Sequence, residues 1–467
     1  MNLLRLLPRH SSLNWIFLVA ALAVVTPHAV HAEALLVVEA DTGKVLQADN
    51  ATMPWYPASV TKIMTAYVAL RAVKEGRLSL DTLLTVSPVA ASQSPSKMGF
   101  RPGIQVTVDN ALKMMMVKSA NDMAVVLAEG VGGSIDGFSG MMNQTAQKLG
   151  MTQTSYVNPN GLPADGQITS ARDLAILARA VIRDLPEYEY FMHIPSIRYG
   201  RRVTQNFNKL IGRYPGADGF KTGFICASGY NLVASATRNG KRLIAVVLGA
   251  SSGQARAVRA AQLLERGFGG NGLGWLKPAL GTVDNLVPID ATPPNLRDEM
   301  CNGKRKRPAT DEDADVVAAN GSASTGESAV TFFTAGLQPP TGKPADLLAA
   351  EAAPSEPVPV YTGPTKTGPA LIAAVAADAD KQTPARRGKN SKIAAKKPDA
   401  AAPKAAAGAK PAAVRHASAR PEAAAKPTAS AERKPAAKPA AAGDKPAAKA
   451  AKPNAAAKPK GENKPAG

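Results

Sequence analysis

The chain has 467 residues, with 56 Lys+Arg against 36 Asp+Glu and a formal net charge of +20. Its two cysteines and five histidines form no CxxC pair and no Cys/His cluster, which speaks against a metal-built site. The length allows one large domain with a substantial core and leaves chain over for appendages.

Residues 1–32 read as a secretory signal. Arg5 and Arg9 make a basic start, residues 15–25 are apolar, and Val30-His31-Ala32 is a small-residue cleavage pattern, so the mature chain is expected to begin at Glu33. The apolar run is short for a bilayer span, which favours cleavage over an uncleaved anchor.

Residues 33–270 read as one catalytic-sized domain. Residues 35–40 and 45–48 make a strand pair around the turn Asp41-Thr42-Gly43-Lys44. Pro57-Ala58 opens a helix whose apolar face carries Ile63, Met64, Tyr67, Val68 and Leu70, and Gly76 ends it. Asp109 is expected to cap a helix through Met116, and Asn121-Asp122 another ending near Gly130. Helices are also expected over residues 134–149 and from Thr169-Ser170 through Ile182. The pattern then changes to strands over residues 219–226, 230–237 and 243–248, with Asn239-Gly240 as a hairpin signal. A helix over residues 254–268 closes the domain. Strands at both ends with helices between predict an α+β fold: an antiparallel sheet that recruits the N-terminal hairpin, flanked by helices and a helical subdomain.

Beyond the domain, residues 271–302 read as a short extension or remnant. Residues 303–467 are rich in Ala, Pro and Lys and are expected to be disordered. Residues 381–467 hold 21 Lys+Arg against 5 Asp+Glu, a net of +16, so most of the chain's charge belongs to this appendage. Cys226 and Cys301 can pair in an exported chain, but nothing in the sequence brings them within bonding distance.

Histidine is scarce where chemistry would need it. Past the signal only His193 and His416 remain, and neither lies in a nucleophile motif. A nucleophilic serine therefore needs another base. Ser59 and Lys62 supply a pair three residues apart on one helix face, at a helix N-terminus that favours developing negative charge. The lysine must be depressed from about 10.4 to accept a proton, and burial beside the cation Lys221 would do that. Ser119-Ala120-Asn121 is expected in a loop: Ser119 relays a proton, and Asn121 fixes a substrate amide. Lys221-Thr222-Gly223 is expected to open a strand whose edge pairs with an extended peptide, with Lys221 and Thr222 at its terminal carboxylate and Gly223 allowing close approach.

Together these motifs resemble the penicillin-binding proteins and serine β-lactamases. Glu39-Ala40-Asp41-Thr42-Gly43, Tyr56-Pro57-Ala58-Ser59-Val60-Thr61-Lys62, Ala171-Arg172-Asp173-Leu174-Ala175, Asp218-Gly219-Phe220-Lys221-Thr222-Gly223 and Gly229-Tyr230-Asn231-Leu232-Val233-Ala234 resemble the D-alanyl-D-alanine carboxypeptidases more narrowly. The resemblance implies a β-lactamase/transpeptidase-like fold and no cofactor. It implies that Ser59 attacks the bond between terminal D-alanines of a peptidoglycan stem peptide, with Lys62 as base. The amides of Ser59 and Phe224 would form the oxyanion hole, and Ser119 would pass a proton to the leaving D-alanine. Lys221, Thr222 and Arg256 would hold the carboxylate, and β-lactams would acylate Ser59. The second β-rich domain and the C-terminal amphipathic helix of many members are not evident after Gly270.

Other readings share the motifs. A class A β-lactamase activates water with a glutamate, but residues 130–186 contain none. A D,D-endopeptidase uses the same constellation on crosslinks, and a non-catalytic envelope protein would only grip stem peptides. The basic tail suits anionic envelope polymers or lipid headgroups, or acts as a spacer. Nucleic acid is not expected of an exported, periplasmic or otherwise extracytoplasmic chain.

Overall fold

A computed structural model describes residues 33–269, 279–302, 343–349 and 351–381. The expected signal segment, residues 1–32, and most of the basic tail lie outside these residues.

The sheet is built on its most apolar strands. β1 (Ala34–Glu39) and β2 (Val45–Asp49) form the N-terminal hairpin. β7 (Ala217–Ile225), β8 (Gly229–Arg238) and β9 (Lys241–Ala250) come from the far end of the domain. They assemble in the order β2-β1-β9-β8-β7, antiparallel throughout, so the hairpin docks on β9 as expected. The β8–β9 connection turns at Asn239 and Gly240, whose φ of 50° and 74° is the left-handed pair a two-residue hairpin needs. β9 lacks polar alternation because both of its faces are covered. Ile244, Val246 and Leu248 pack into the core shared with the helical lobe. Leu243, Ala245 and Val247 face the second core, which holds Ala257, Ala260, Leu263 and Leu264 of the C-terminal helix.

Between the two halves of the sheet lies the helical lobe. A 3-10 turn, Ala58–Thr61, leads into α1 (Lys62–Lys74), buried on most of its circumference at the lobe's centre. β3 (Leu83–Thr85), α2 (Pro88–Ser92) and β4 (Gln105–Thr107) follow, then α3 (Val108–Val117), α4 (Asn121–Gly132), α5 (Ile135–Lys148) and α6 (Ala171–Asp184). A small hairpin, β5 (Ser196–Tyr199) and β6 (Arg202–Gln205), precedes β7. After β9 come α7 (Gly253–Gly269) and α8 (Arg297–Cys301).

Several boundaries differ from the sequence reading. α3 is capped by Thr107, whose Oγ1 accepts the Asn110 amide at 3.1 Å. Asp109 lies inside the first turn, paired with Lys113. α4 has Ala120 as its cap residue and no capping side chain. Asn121 and Asp122 are turned to other loops: Asn121 Nδ2 donates to the Ser94 carbonyl, and Asp122 accepts the Met98 and Gly99 amides. β7 begins at Ala217 with a bulge before Gly219, so Lys221-Thr222-Gly223 occupies the middle of the strand instead of opening it.

Residues 279–302 dock on the domain. The Gly281 carbonyl accepts Val45 N–H, the Gly43 carbonyl accepts Val283 N–H, and Val283, Leu296 and Met300 are buried in the main core. Cys301 is disulfide-bonded to Cys226, with Cα atoms 5.7 Å apart.

Structure also extends into the region expected to be featureless from residue 303. α9 (Pro344–Ala349), β10 (Val358–Pro359) and α10 (Gly368–Lys381) are formed. β10 pairs in parallel with β5. Val360 is fully buried, and Tyr361 sits over α3, where its amide donates to Asn110 Oδ1 at 3.3 Å. Leu348 joins the α7 core. Leu348, Val360 and Tyr361 are scattered and carry no period, so composition alone hid a segment that the domain's own grooves order.

Candidate active site

The turn that carries Ser59, the candidate nucleophile, is positioned from both sides. Pro57 has a helical φ of −68°, but Ala58 is left-handed at φ 50°, costly for a residue with a Cβ. This bend delivers Ser59 to the 3-10 turn directly before α1. Behind it, Asn231 Nδ2 on β8 donates to the carbonyls of Tyr56 and Pro57, at 2.9 and 3.1 Å. Trp55 Nε1 donates to the Ser228 carbonyl at 3.0 Å.

Lys62 is the centre of the constellation. It is fully buried, and its Nζ lies 2.9 Å from Ser59 Oγ, 2.7 Å from Asn121 Oδ1 and 2.8 Å from the Asn160 carbonyl. Asn121 has its oxygen toward Lys62 because its Nδ2 is committed to Ser94 O. Two of the three partners can only accept. A neutral amine has two N–H bonds, and these two acceptors take both. Its lone pair is then left facing the Ser59 hydroxyl, the arrangement a base requires. Electrostatics favour that neutral form. Burial pushes the Lys62 pKa well below the ordinary lysine value, and the charge of Lys221 pushes it further, with Asp122 opposing.

Ser119 is held at φ 62° on the turn between α3 and α4, 7 % exposed and two residues before Asn121. Like Ala58, Ser119 is a non-glycine residue held in the left-handed region. Lys221 and Thr222 are buried in the edge strand β7. Gly223 is required by contact: a Cβ there would lie 2.8 Å from Ser59 N and 3.0 Å from Val60 N. The strand's backbone therefore lies directly on the Ser59 turn. Phe224 faces the other side by alternation. Phe224 stacks on Tyr230 with centroids 4.2 Å apart. Arg256, on α7, is buried with its guanidinium 5.5 Å from the Tyr230 ring centre. It donates to the Gly223 and Asn231 carbonyls at 3.4 Å and to Phe207 O at 3.5 Å. The group expected at the substrate carboxylate thus sits behind β7, on the α7 side of the sheet.

Known proteins share this framework. A family model described as D-alanyl-D-alanine carboxypeptidase matches residues 21–252. D-alanyl-D-alanine carboxypeptidase DacC of Escherichia coli K12 is 40 % identical over 278 residues, spanning 57 % of this chain and 69 % of that protein. The chain belongs to the D-alanyl-D-alanine carboxypeptidase family. Its relative DacA of Escherichia coli K12 is 37 % identical, over 51 % of this chain and 61 % of its own length. Penicillin binding protein 5 of Haemophilus influenzae has a solved structure that matches with a TM-score of 0.50 at 36 % identity, covering 52 % of this chain and 73 % of that one. Carboxypeptidase-family membership accounts for the antiparallel sheet with a helical lobe.

The structure joins Ser59, Lys62 and Asn121 by hydrogen bonds and sets Gly223 against them. Asn160 was missed by sequence reasoning because its backbone carbonyl, not its side chain, reaches Lys62. The turn-rich run Asn158-Pro159-Asn160-Gly161 was its available signal. Asn231 was visible only inside a family-like phrase, with no role attached. His193 packs its ring edge-on to Tyr190, and it is Lys62 that hydrogen-bonds Ser59. Among the described residues no group of three or more His, Cys, Asp or Glu could hold a metal ion, and no helix is long and apolar enough to cross a membrane.

Proposed function

We propose that the chain is an exported serine-type D,D-carboxypeptidase that removes the terminal D-alanine from peptidoglycan stem peptides. The observation that carries this reading is the Lys62 amine, held by two pure acceptors with its third direction on Ser59 Oγ. The extended peptide lies along the edge strand β7, its carboxylate toward Lys221 and Thr222, with Arg256 behind the strand. Ser59 Oγ attacks the carbonyl between the two D-alanines, and its proton passes to Lys62 Nζ. The amides of Ser59 and Phe224 stabilise the oxyanion. Ser119 hands a proton to the departing D-alanine amine, the C–N bond breaks, and an acyl-enzyme remains on Ser59. Water then releases the shortened peptide. β-Lactams acylate the same oxygen, in keeping with the penicillin-binding name of the Haemophilus relative.

Incubation with a muropeptide pentapeptide, followed by mass spectrometry, tests this. One D-alanine is lost per peptide, and Ser59→Ala abolishes the loss. Cleavage of crosslinked dimers with pentapeptides untouched would instead make the chain an endopeptidase.

The basic stretch over residues 381–467 is proposed to hold the enzyme to anionic polymers or lipid headgroups of the envelope. The full chain is expected to bind purified envelope and to elute with salt, while a chain ending at residue 381 does not bind. Equal retention of the two would remove the proposal.

A further inference from the structure

We propose that the Cys226–Cys301 disulfide is a positioning brace for the reacting centre: it holds the end of β7 against the nucleophile turn, so that efficient acylation of Ser59 requires the oxidised bond. The inference rests on the assignment of Ser59 as nucleophile. Cys226 directly follows β7, two residues beyond Phe224. The turn it begins is a junction of three elements. Ser228 closes the turn, its amide donating to the Ile225 carbonyl at 3.0 Å. The Ser228 carbonyl accepts Trp55 Nε1, which fixes the chain leading into Ser59. The Ala227 carbonyl accepts Leu296 N–H at 2.9 Å, and the disulfide joins the same turn to α8.

α8 is only five residues long, and its anchorage comes from Leu296 and Met300, buried in the core that also holds Trp55 and Val60. The bond therefore ties the end of β7 to the core that carries the nucleophile. Sliding at this end is transmitted, because the β7 backbone at Gly223 already lies on the Ser59 and Val60 amides. The space there does not admit even one side-chain carbon, and displacements of about 1 Å at a reacting centre cost rates on the order of 100-fold. A small dithiol opens the bond in two exchanges. One thiolate attacks a protein sulfur to give a mixed disulfide, and the second thiol displaces it, leaving two protein thiols and the oxidised cyclic reagent. Both cysteines are partly exposed, so the bond is within reach of such a reagent.

The test uses the native chain and a fluorescent penicillin. Acylation is followed over a range of label concentrations, which separates the first-order acylation constant from initial binding. Opening the bond with dithiothreitol, verified by thiol alkylation and intact mass, is expected to lower the acylation constant about tenfold or more with initial binding changed less than twofold. Reoxidation restores it. Cys226→Ser with Cys301→Ser gives the same split, and if that variant does not fold the reduced native chain decides alone. Met142→Ala, a core cavity opened in α5, serves as a stability control and leaves the acylation constant unchanged. An acylation constant within twofold of native in the reduced chain overturns the brace. So does an equal loss in Met142→Ala, which would mark a general stability effect. No labelling of the oxidised native chain would overturn the carboxypeptidase reading itself, a result distinct from either.

Discussion

Lys62→Met lowers the rate of Ser59 acylation by about 10³-fold, within the range a positioned general base contributes. The residual rate is expected to lose the alkaline rise predicted for the native chain. The sign follows from the chemistry: a protonated ammonium cannot accept the serine proton, so the rate climbs as pH passes the Lys62 pKa. Burial and Lys221 hold that pKa well below its ordinary value, which places the rising limb nearer neutrality than a free lysine would. Lys221→Met removes the neighbouring cation, so the limb moves to higher pH. Asp122→Asn removes the one opposing charge and moves it lower. Rate–pH profiles with a fluorescent penicillin measure both shifts. The position of the limb is the quantity to compare, since Lys221→Met also weakens any grip on a substrate carboxylate. A limb that stays in place in both variants would assign the titration to some other group.

Gly161→Ala is the second large effect. Gly161 has φ 79°, and a Cβ placed on it would lie 1.8 Å from the Ala58 carbonyl oxygen and 2.8 Å from Thr61 Oγ1. Neither neighbour is the loose end of a side chain. The Ala58 carbonyl belongs to the bend that delivers Ser59, and the next residue back, Asn160, supplies an acceptor to Lys62. The substitution must therefore move the nucleophile turn or the loop carrying that acceptor. About 3 kcal/mol of stability is expected to be lost, from strain at a left-handed position together with overpacking. Acylation is expected to fall about 100-fold or more in the fraction that remains folded. Denaturant unfolding reads the first and single-turnover labelling the second. Near-native values for both would mean that the two loops separate freely.

The site was legible where side chains act and obscure where backbone acts. Ser59 and Lys62 are chemical letters at a helical spacing, and the fold brings them within hydrogen-bond distance; Asn121, expected in a loop facing a substrate amide, opens α4 and turns its oxygen to Lys62. Asn160 contributes a carbonyl that every residue type possesses, so its identity gave no cue. Arg256 was legible as a charge, but its burial behind β7 depends on α7 packing that no local pattern encodes. The sheet was readable from its apolar strands and the Asn239-Gly240 turn. Thr107 in place of Asp109 as a cap was a choice between neighbours of similar propensity, decided by where β4 ends. The Cys226–Cys301 pair spans 75 positions, and only the docking of residues 279–302 brings its ends together.

The strip of chain from Val358 to Tyr361 has a practical corollary for anyone who shortens this protein. Composition suggests cutting near residue 303, where the alanine- and proline-rich text begins. Such a cut would strip a strand from β5 and bare the places filled by Val360 and Tyr361, leaving apolar patches where the longer chain has none. A terminus after Lys381 keeps every docked residue described here. In this chain α10 closes some eighty residues beyond the point where the vocabulary changes.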